Sequence, residues 1–347
     1  MEGKKLLQNT LIYTIGNLGS KLLSFLLLPL FSIYLTPSQF GIYDLILGMI
    51  NLLVPVVTIQ ISDATYRWLL EDASFEERKK NISNGFILLT SSVAVFTILF
   101  LIISFFIQFE YKSYFFILLI VSCYLPFLQQ VVRGLNKSKL YAIVGLINTA
   151  AFLILTTLFL VVAKYGLSGI LIASIVSSSL SIIFLLLKSQ LSSYFSLEKI
   201  SLEKIKAMIR YSAPLIPNTI SWWFINTADK YIILYYLGNE ANGIYGLSTR
   251  FPGLIAILNS IFMLSWQDYA LSANEDKRNE EFSSRIFDHF VRFELSFVIF
   301  LISITGILLD LFISPKFSES GKYIPLLFIG SVFSAFSGYL GTSYLKV

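Results

Sequence analysis

The sequence predicts an all-α, polytopic membrane protein, a transmembrane helix bundle of about ten spans built as two parallel-oriented repeats. Three observations carry this. Of 347 residues, 56% are apolar and only 14% charged, against about a quarter charged in soluble domains. Apolar runs of about 20 residues recur along the chain, the length a helix needs to cross about 30 Å of hydrocarbon with every backbone hydrogen bond satisfied internally. A twelve-residue stretch near the start of the chain returns in its second half.

With 31 Phe and 19 Tyr, the apolar surface exceeds what a soluble core buries, and lipid is the phase that covers the excess. The runs cover approximately residues 10–34, 42–62, 84–107, 114–132, 140–163, 166–187, 212–236, 243–267, 287–309 and 324–345. The first is too long for a signal-peptide core and leads directly into the second, so it is expected to stay in the mature chain. The runs are about twice the length of barrel strands and lack alternation, which excludes an outer-membrane barrel.

The net charge of +5 is a matter of topology and calls for no nucleic-acid partner. With the amino terminus inside, only Lys112, Lys164, Lys316 and Lys322 fall in outer gaps. Three cations, Lys21, Lys230 and Arg250, lie within spans, and all the rest fall in inner gaps. This is the positive-inside pattern.

The longest inner gap places Leu197, Ile200, Ile205, Met208 and Ile209 near one helical face and Glu203, Lys204, Lys206 and Arg210 on the other, as in an interfacial amphipathic helix. It divides the chain into a six-helix lobe over 1–190, a linker over 191–211 and a second lobe over 212–347. On its two sides, Tyr34-Leu35-Thr36-Pro37-Ser38-Gln39-Phe40-Gly41-Ile42-Tyr43-Asp44-Leu45 aligns without gaps on Tyr236-Leu237-Gly238-Asn239-Glu240-Ala241-Asn242-Gly243-Ile244-Tyr245-Gly246-Leu247. Six of the twelve positions are identical. Both copies are read as the outer turn between the first two helices of their half, an even number of spans apart, so the halves relate by an axis along the membrane normal. The second half has four of an expected six helices and reads as incomplete.

Cations at mid-bilayer cost about 2.5–3.5 kcal/mol to insert and normally face a cavity or a partner. Lys21 sits midway along the first span with Asn17 and Ser24 one turn away; it either holds an anionic group or packs in an ion pair. Asp229 and Lys230 are adjacent and diverge by about 100° on a helix, so each needs another partner: Arg250 for Asp229, a cavity for Lys230. Arg250 lies seven residues into the eighth run and offers a planar fork that matches phosphate. Trp222, with Asn226 one turn on, is a candidate for stacking on sugar rings or an ordinary interfacial aromatic.

Asp63 and Arg67 are spaced as an i,i+4 pair at an inner helix end, a gate or a plain ion pair. Pro214 and Pro217 open the seventh run and are candidate hinges. The single His289 and single Cys123 build neither a zinc site nor a disulfide. No phosphate-binding Gly-rich loop is present to use ATP, and no cofactor is expected; an H+ or Na+ gradient is the candidate drive.

Three groups of residues are similar to the Wzx-like polysaccharide flippases, a branch of the MOP superfamily that also holds the MATE multidrug extruders and the lipid II flippases. They are Asn9-Thr10-Leu11 through Ser20-Lys21 with Pro29-Leu30 and Tyr34 to Tyr43; Pro214-Leu215-Ile216-Pro217 with Trp222-Trp223 and Asp229-Lys230-Tyr231; and Tyr236-Leu237-Gly238 with Gly243-Ile244-Tyr245 and Arg250. The resemblance implies a multi-pass protein of the bacterial cytoplasmic membrane with its amino terminus in the cytoplasm. Such a protein moves undecaprenyl-pyrophosphate-linked oligosaccharide to the outer leaflet, with membrane lipids and the polysaccharide polymerase and chain-length machinery as partners, and performs no covalent chemistry. Two rivals stand beside it: a MATE-like exporter of cationic drugs, which wants acidic cavities, and a membrane oligosaccharide polymerase or glycosyltransferase, which usually carries a large outer loop.

Overall fold

The computed structural model describes residues 25–71, 74–106, 108–256, 258–259, 262–263, 266 and 277–343. Regular structure among them is helical throughout: α1 (Leu27–Tyr34), α2 (Pro37–Val57), α3 (Ile61–Glu71), α4 (Phe75–Ser104), α5 (Lys112–Gly134), α6 (Ser138–Thr157), α7 (Gly166–Ser189), α8 (Leu202–Ser212), α9 (Leu215–Ser248), α10 (Lys277–Phe312) and α11 (Ile324–Ser343). Six helices among the described residues are long and apolar enough to cross a membrane, namely α2, α4, α5, α6 with its extension to Val162, α7, and α10 from Ser284. A shorter apolar stretch, Ile324–Tyr339, lies in α11. The predicted seventh run is helical within α9, and the first and eighth fall partly outside the described residues.

Several expected boundaries move, each for a local reason. The second span begins at Pro37 rather than 42. Thr36 and Gln39 form a capping box in which the Thr36 N–H donates to Gln39 Oε1 at 3.1 Å and the Gln39 N–H to Thr36 Oγ1 at 3.2 Å, with proline in the first helical position, where its missing N–H costs nothing. That span ends at Val57 because Ile59 and Gln60 both adopt left-handed backbone, φ 52° and 54°, which non-glycine residues rarely do. The chain then resumes as α3.

The second copy of the outer turn is not an extended loop. Helix continues through residues 239–248, and the one non-helical residue of α9 is Gly238, at φ 84° and ψ −177°, a combination essentially confined to glycine.

By contacts, residues 42–236 form one compact unit and residues 25–41 with 237–343 another. The six-plus-four division at 191–211 remains a reading of the sequence. In the first unit α3 packs on α4, α5 and α8, and α7 packs on α5 and α6. Ile61, Leu69, Leu89, Phe127, Val131, Val132, Val144 and Leu185 are buried in its core. The amphipathic segment is α-helical only from Leu202, preceded by a single 3-10 turn over Leu197–Lys199. Upstream, Ser83 Oγ accepts the Ser196 N–H at 2.9 Å, Asn84 Nδ2 donates to the Lys199 carbonyl at 2.9 Å, and Asn84 Oδ1 accepts the Ser201 N–H at 2.8 Å. These bonds fix 196–201 on the start of α4 and direct backbone groups away from a helical ladder. Within α8, Met208 and Ser212 are buried while Glu203, Lys206 and Arg210 face outward, as amphipathicity requires.

In the second unit the repeat copies meet. A Cβ on Gly41 would collide with the Asn239 carbonyl, and one on Gly243 with the Pro37 carbonyl. Pro37 and Asn239 occupy equivalent positions of the repeat, as do Gly41 and Gly243, so the contact is reciprocal, which is the mark of two-fold relation. Asn242 Nδ2 adds a bond to the Gly41 carbonyl at 3.2 Å. Phe40 and Phe317 pack edge to face at 5.9 Å. The segment after α10 is tied back by the Ser314 N–H to Ser32 Oγ at 3.1 Å and Lys316 Nζ to the Ile33 carbonyl at 2.9 Å.

Candidate functional site

The sharpest polar feature inside the apolar helices lies in the first unit, where α9 runs along α2. Positions 219, 223, 227 and 231 of α9 share one face because they recur every four residues. Along it Thr219 bonds Gln60, the Trp223 indole N–H donates to the Gly48 carbonyl at 2.7 Å, and the Tyr231 hydroxyl donates to the Leu45 carbonyl at 3.3 Å. Lys230 extends beside this seam, with Nζ 2.6 Å from Asp44 Oδ2. The lysine side chain is 14% exposed and the aspartate 2%. An amine and a carboxyl group are thus held largely away from water, the carboxyl on the apolar helix α2. Removing one member of such a pair typically costs about 3–5 kcal/mol, whereas replacing both by apolar residues is often neutral, so stability alone is a weak reason to keep it.

The predicted site residues distribute as follows. Lys21 and Asn17 lie outside the described residues. Lys230, expected to face a cavity, is instead paired with Asp44. Sequence reasoning passed over Asp44, although a signal existed: it is an acid inside an apolar run, and its equivalent in the second copy is Gly246. Asp229 accepts the Lys230 backbone N–H at 2.8 Å. Asp229 belongs to the first unit and Arg250 to the second.

Arg250 does not lie deep in a continuous eighth span. α9 ends at Ser248, Arg250 occupies a turn in which its N–H bonds the Leu247 carbonyl at 3.0 Å, and helix resumes at 252. Trp222 is 59% exposed, and its neighbour Trp223 is the one that makes the interhelical bond. Asn226 donates to the Trp222 carbonyl at 2.7 Å, along its own helix. Pro214 sits in the turn between α8 and α9; Pro217 lies in the first turn of α9 without breaking it, and the non-helical residue of that helix is Gly238.

The Asp63–Arg67 pair is corrected. Arg67 Nε bonds Glu71 Oε1 at 3.0 Å, the alternative i,i+4 partner, because its guanidinium lies 4.4 Å over the Tyr211 ring of α8 and 5.7 Å from that of Trp68. Lys204 approaches the same indole at 4.7 Å, and Arg133 stacks 4.6 Å over Tyr66. Burial raises the Asp63 carboxyl above the usual range, opposed by the positive charge of Arg133. In the second unit Glu294 on α10 is buried and hydrogen-bonded to Asn259. Cys123 is a buried free thiol, and no cluster of metal-ligating side chains occurs among the described residues.

The described residues form a bundle of apolar helices with an internal repeat and a charged pair enclosed among them. The sequence profile described as "Polysaccharide biosynthesis protein" matches residues 6–266, and the chain belongs to that family. No curated protein sequence matches. Among solved structures, an inward-facing multidrug resistance MATE family transporter of the MOP superfamily is similar with a TM-score of 0.68 at 14% identity, covering 93% of this chain and 82% of the other. A MATE in complex with MaD5 gives 0.65 at 16%, over 99% and 82%. A MOP superfamily transporter from Pyrococcus furiosus, described by the reverse polarity of its binding pocket, gives 0.55 at 13%, over 98% and 83%. At these identities the likeness establishes the MATE-like fold.

Proposed function

We propose that the chain flips undecaprenyl-pyrophosphate-linked oligosaccharide from the inner to the outer leaflet of the bacterial cytoplasmic membrane, by alternating access and without covalent chemistry. The observation that carries this reading is a largely buried lysine paired with a carboxylate of the apolar helix α2, in a chain of the polysaccharide biosynthesis family. A pyrophosphate head group cannot enter hydrocarbon bare, and fixed cations with hydrogen-bond donors replace the water it leaves. Lys21, Lys230 and Arg250 are assigned to the phosphates, and Asn17, Trp222 and Asn226 to the sugars. Asp229 orients the Lys230 segment, and Asp63 with Arg67 belongs to the inner gate. Pro214 and Pro217, just after the expected linker between the lobes, are the hinges, and an H+ or Na+ gradient supplies the drive.

The rival cargo is an organic cation, on the precedent of the multidrug extruders that share this fold. The bias of the intramembrane cations toward an anionic cargo argues against it, and the Pyrococcus transporter, whose reversed pocket polarity is described as suggesting a different function, supports reading cargo from charge. The test is genetic. Lys21→Ala and Arg250→Ala should abolish surface polysaccharide at normal protein abundance. Unchanged polymer in both variants, or efflux stimulated by an organic cation, would overturn the assignment.

A further inference from the structure

We propose that Asp44 is a built-in counter-ion that occupies Lys230 when no cargo is bound and yields it to the phosphate of the cargo. The inference rests on the flippase reading for the identity of the cargo, and on the geometry alone for the exchange. An empty carrier must return across the bilayer, and a lone ammonium on an apolar helix would oppose that step. The Asp44 carboxylate, 2.6 Å from Lys230 Nζ, supplies a negative charge where a phosphate oxygen would.

The rest of the seam does not depend on the charge. Trp223 holds the Gly48 carbonyl and Tyr231 the Leu45 carbonyl through neutral bonds, so α2 and α9 remain registered while the lysine changes partner. The carboxylate is anchored to the helix by one short side chain, whereas the ammonium rides on four flexible methylenes, so Lys230 is the mobile member. Among groups on this seam, Asp229 is already engaged by the backbone of Lys230. The exchange therefore lies between Asp44 and an external anion, and because the released Asp44 carboxylate keeps its own negative charge beside that anion, it opposes anion binding.

Binding to a state in which the lysine is already taken is weakened by the fraction in which it is released. Removing the competitor should therefore tighten anion binding. The measurement is calorimetric titration of inorganic pyrophosphate into the purified full chain in uncharged detergent. Asp44→Asn and Asp44→Ser should each bind it about tenfold more tightly than the unaltered chain, Asp44→Asn with Lys230→Gln should lose the gain, and Glu319→Gln, at an exposed ion pair with Lys322, should leave affinity unchanged.

Equal affinity in the Asp44 variants, a gain that survives loss of Lys230, or failure of both Asp44 variants to give monodisperse protein would overturn the counter-ion role. A gain in binding together with undiminished polysaccharide in cells carrying Lys230→Gln would keep the counter-ion and refute the flippase. No gain in binding, with polysaccharide lost, would do the reverse.

Discussion

Gly41 and Gly243 meet at equivalent points of the two repeat copies, each so close to the other copy's backbone that a methyl group on either would overlap a carbonyl, that of Asn239 or of Pro37. The two contacts are images of each other under the repeat. The internal alignment is therefore a packing rule: glycine recurs because two backbones must touch there.

It follows that Gly41→Ala and Gly243→Ala should destabilise the chain by similar amounts, about 1–3 kcal/mol each, as overpacking against backbone does. Because they act on one contact, the double variant should cost less than their sum. Thermal unfolding in detergent measures both; additive or negligible effects would remove the reciprocal contact.

Gly238 makes a different prediction, since nothing lies within 4 Å of where its Cβ would be and only its backbone, φ 84°, forbids a side chain. Gly238→Ala should cost about 1–3 kcal/mol through strain alone. Gly330→Ala, equally uncrowded but without positive φ, should be neutral or stabilise by up to about 1 kcal/mol as a helix-favouring change. The same unfolding measurement separates them.

Asp63 gives a pH dependence. Burial raises its carboxyl above the ordinary value of 3.8, with Arg133 opposing, so the folded chain binds this proton more readily than the unfolded chain. Stability then falls as pH rises through the carboxylate range and stays lowered at neutrality. Asp63→Asn should raise the melting temperature at pH 7, with the gain vanishing at pH values below the ordinary carboxylate range. A gain independent of pH, or a loss at neutrality, would contradict the buried setting.

The spans, the repeat and the family were legible because apolar run length, cation asymmetry and the Gly-Ile-Tyr motif are local properties of the chain. Partners were legible only in part. Lys230 stood out as an intramembrane cation, but its acceptor Asp44 is distant in sequence, and only tertiary packing of α9 on α2 brings them together. Arg67 offered two acceptors at helical spacing, and the choice of Glu71 over Asp63 depends on the Tyr211 ring, on a helix far along the chain. Trp222 and Trp223 are indistinguishable as a dipeptide; the Gly48 carbonyl selects Trp223. The outer turn of the second copy is confined to Gly238, whose positive φ interrupts the helix at a single residue, and run length does not show where within the turn that residue falls.

Whether intramembrane cations serve an anionic, lipid-linked cargo can be measured by reconstituting the full chain in vesicles that carry a fluorescent undecaprenyl-pyrophosphate oligosaccharide in one leaflet. Protein-dependent transfer to the other leaflet, abolished by Lys230→Gln and Arg250→Ala, is the result expected. Transfer no faster than in protein-free vesicles, or transfer undiminished in both variants, would contradict it.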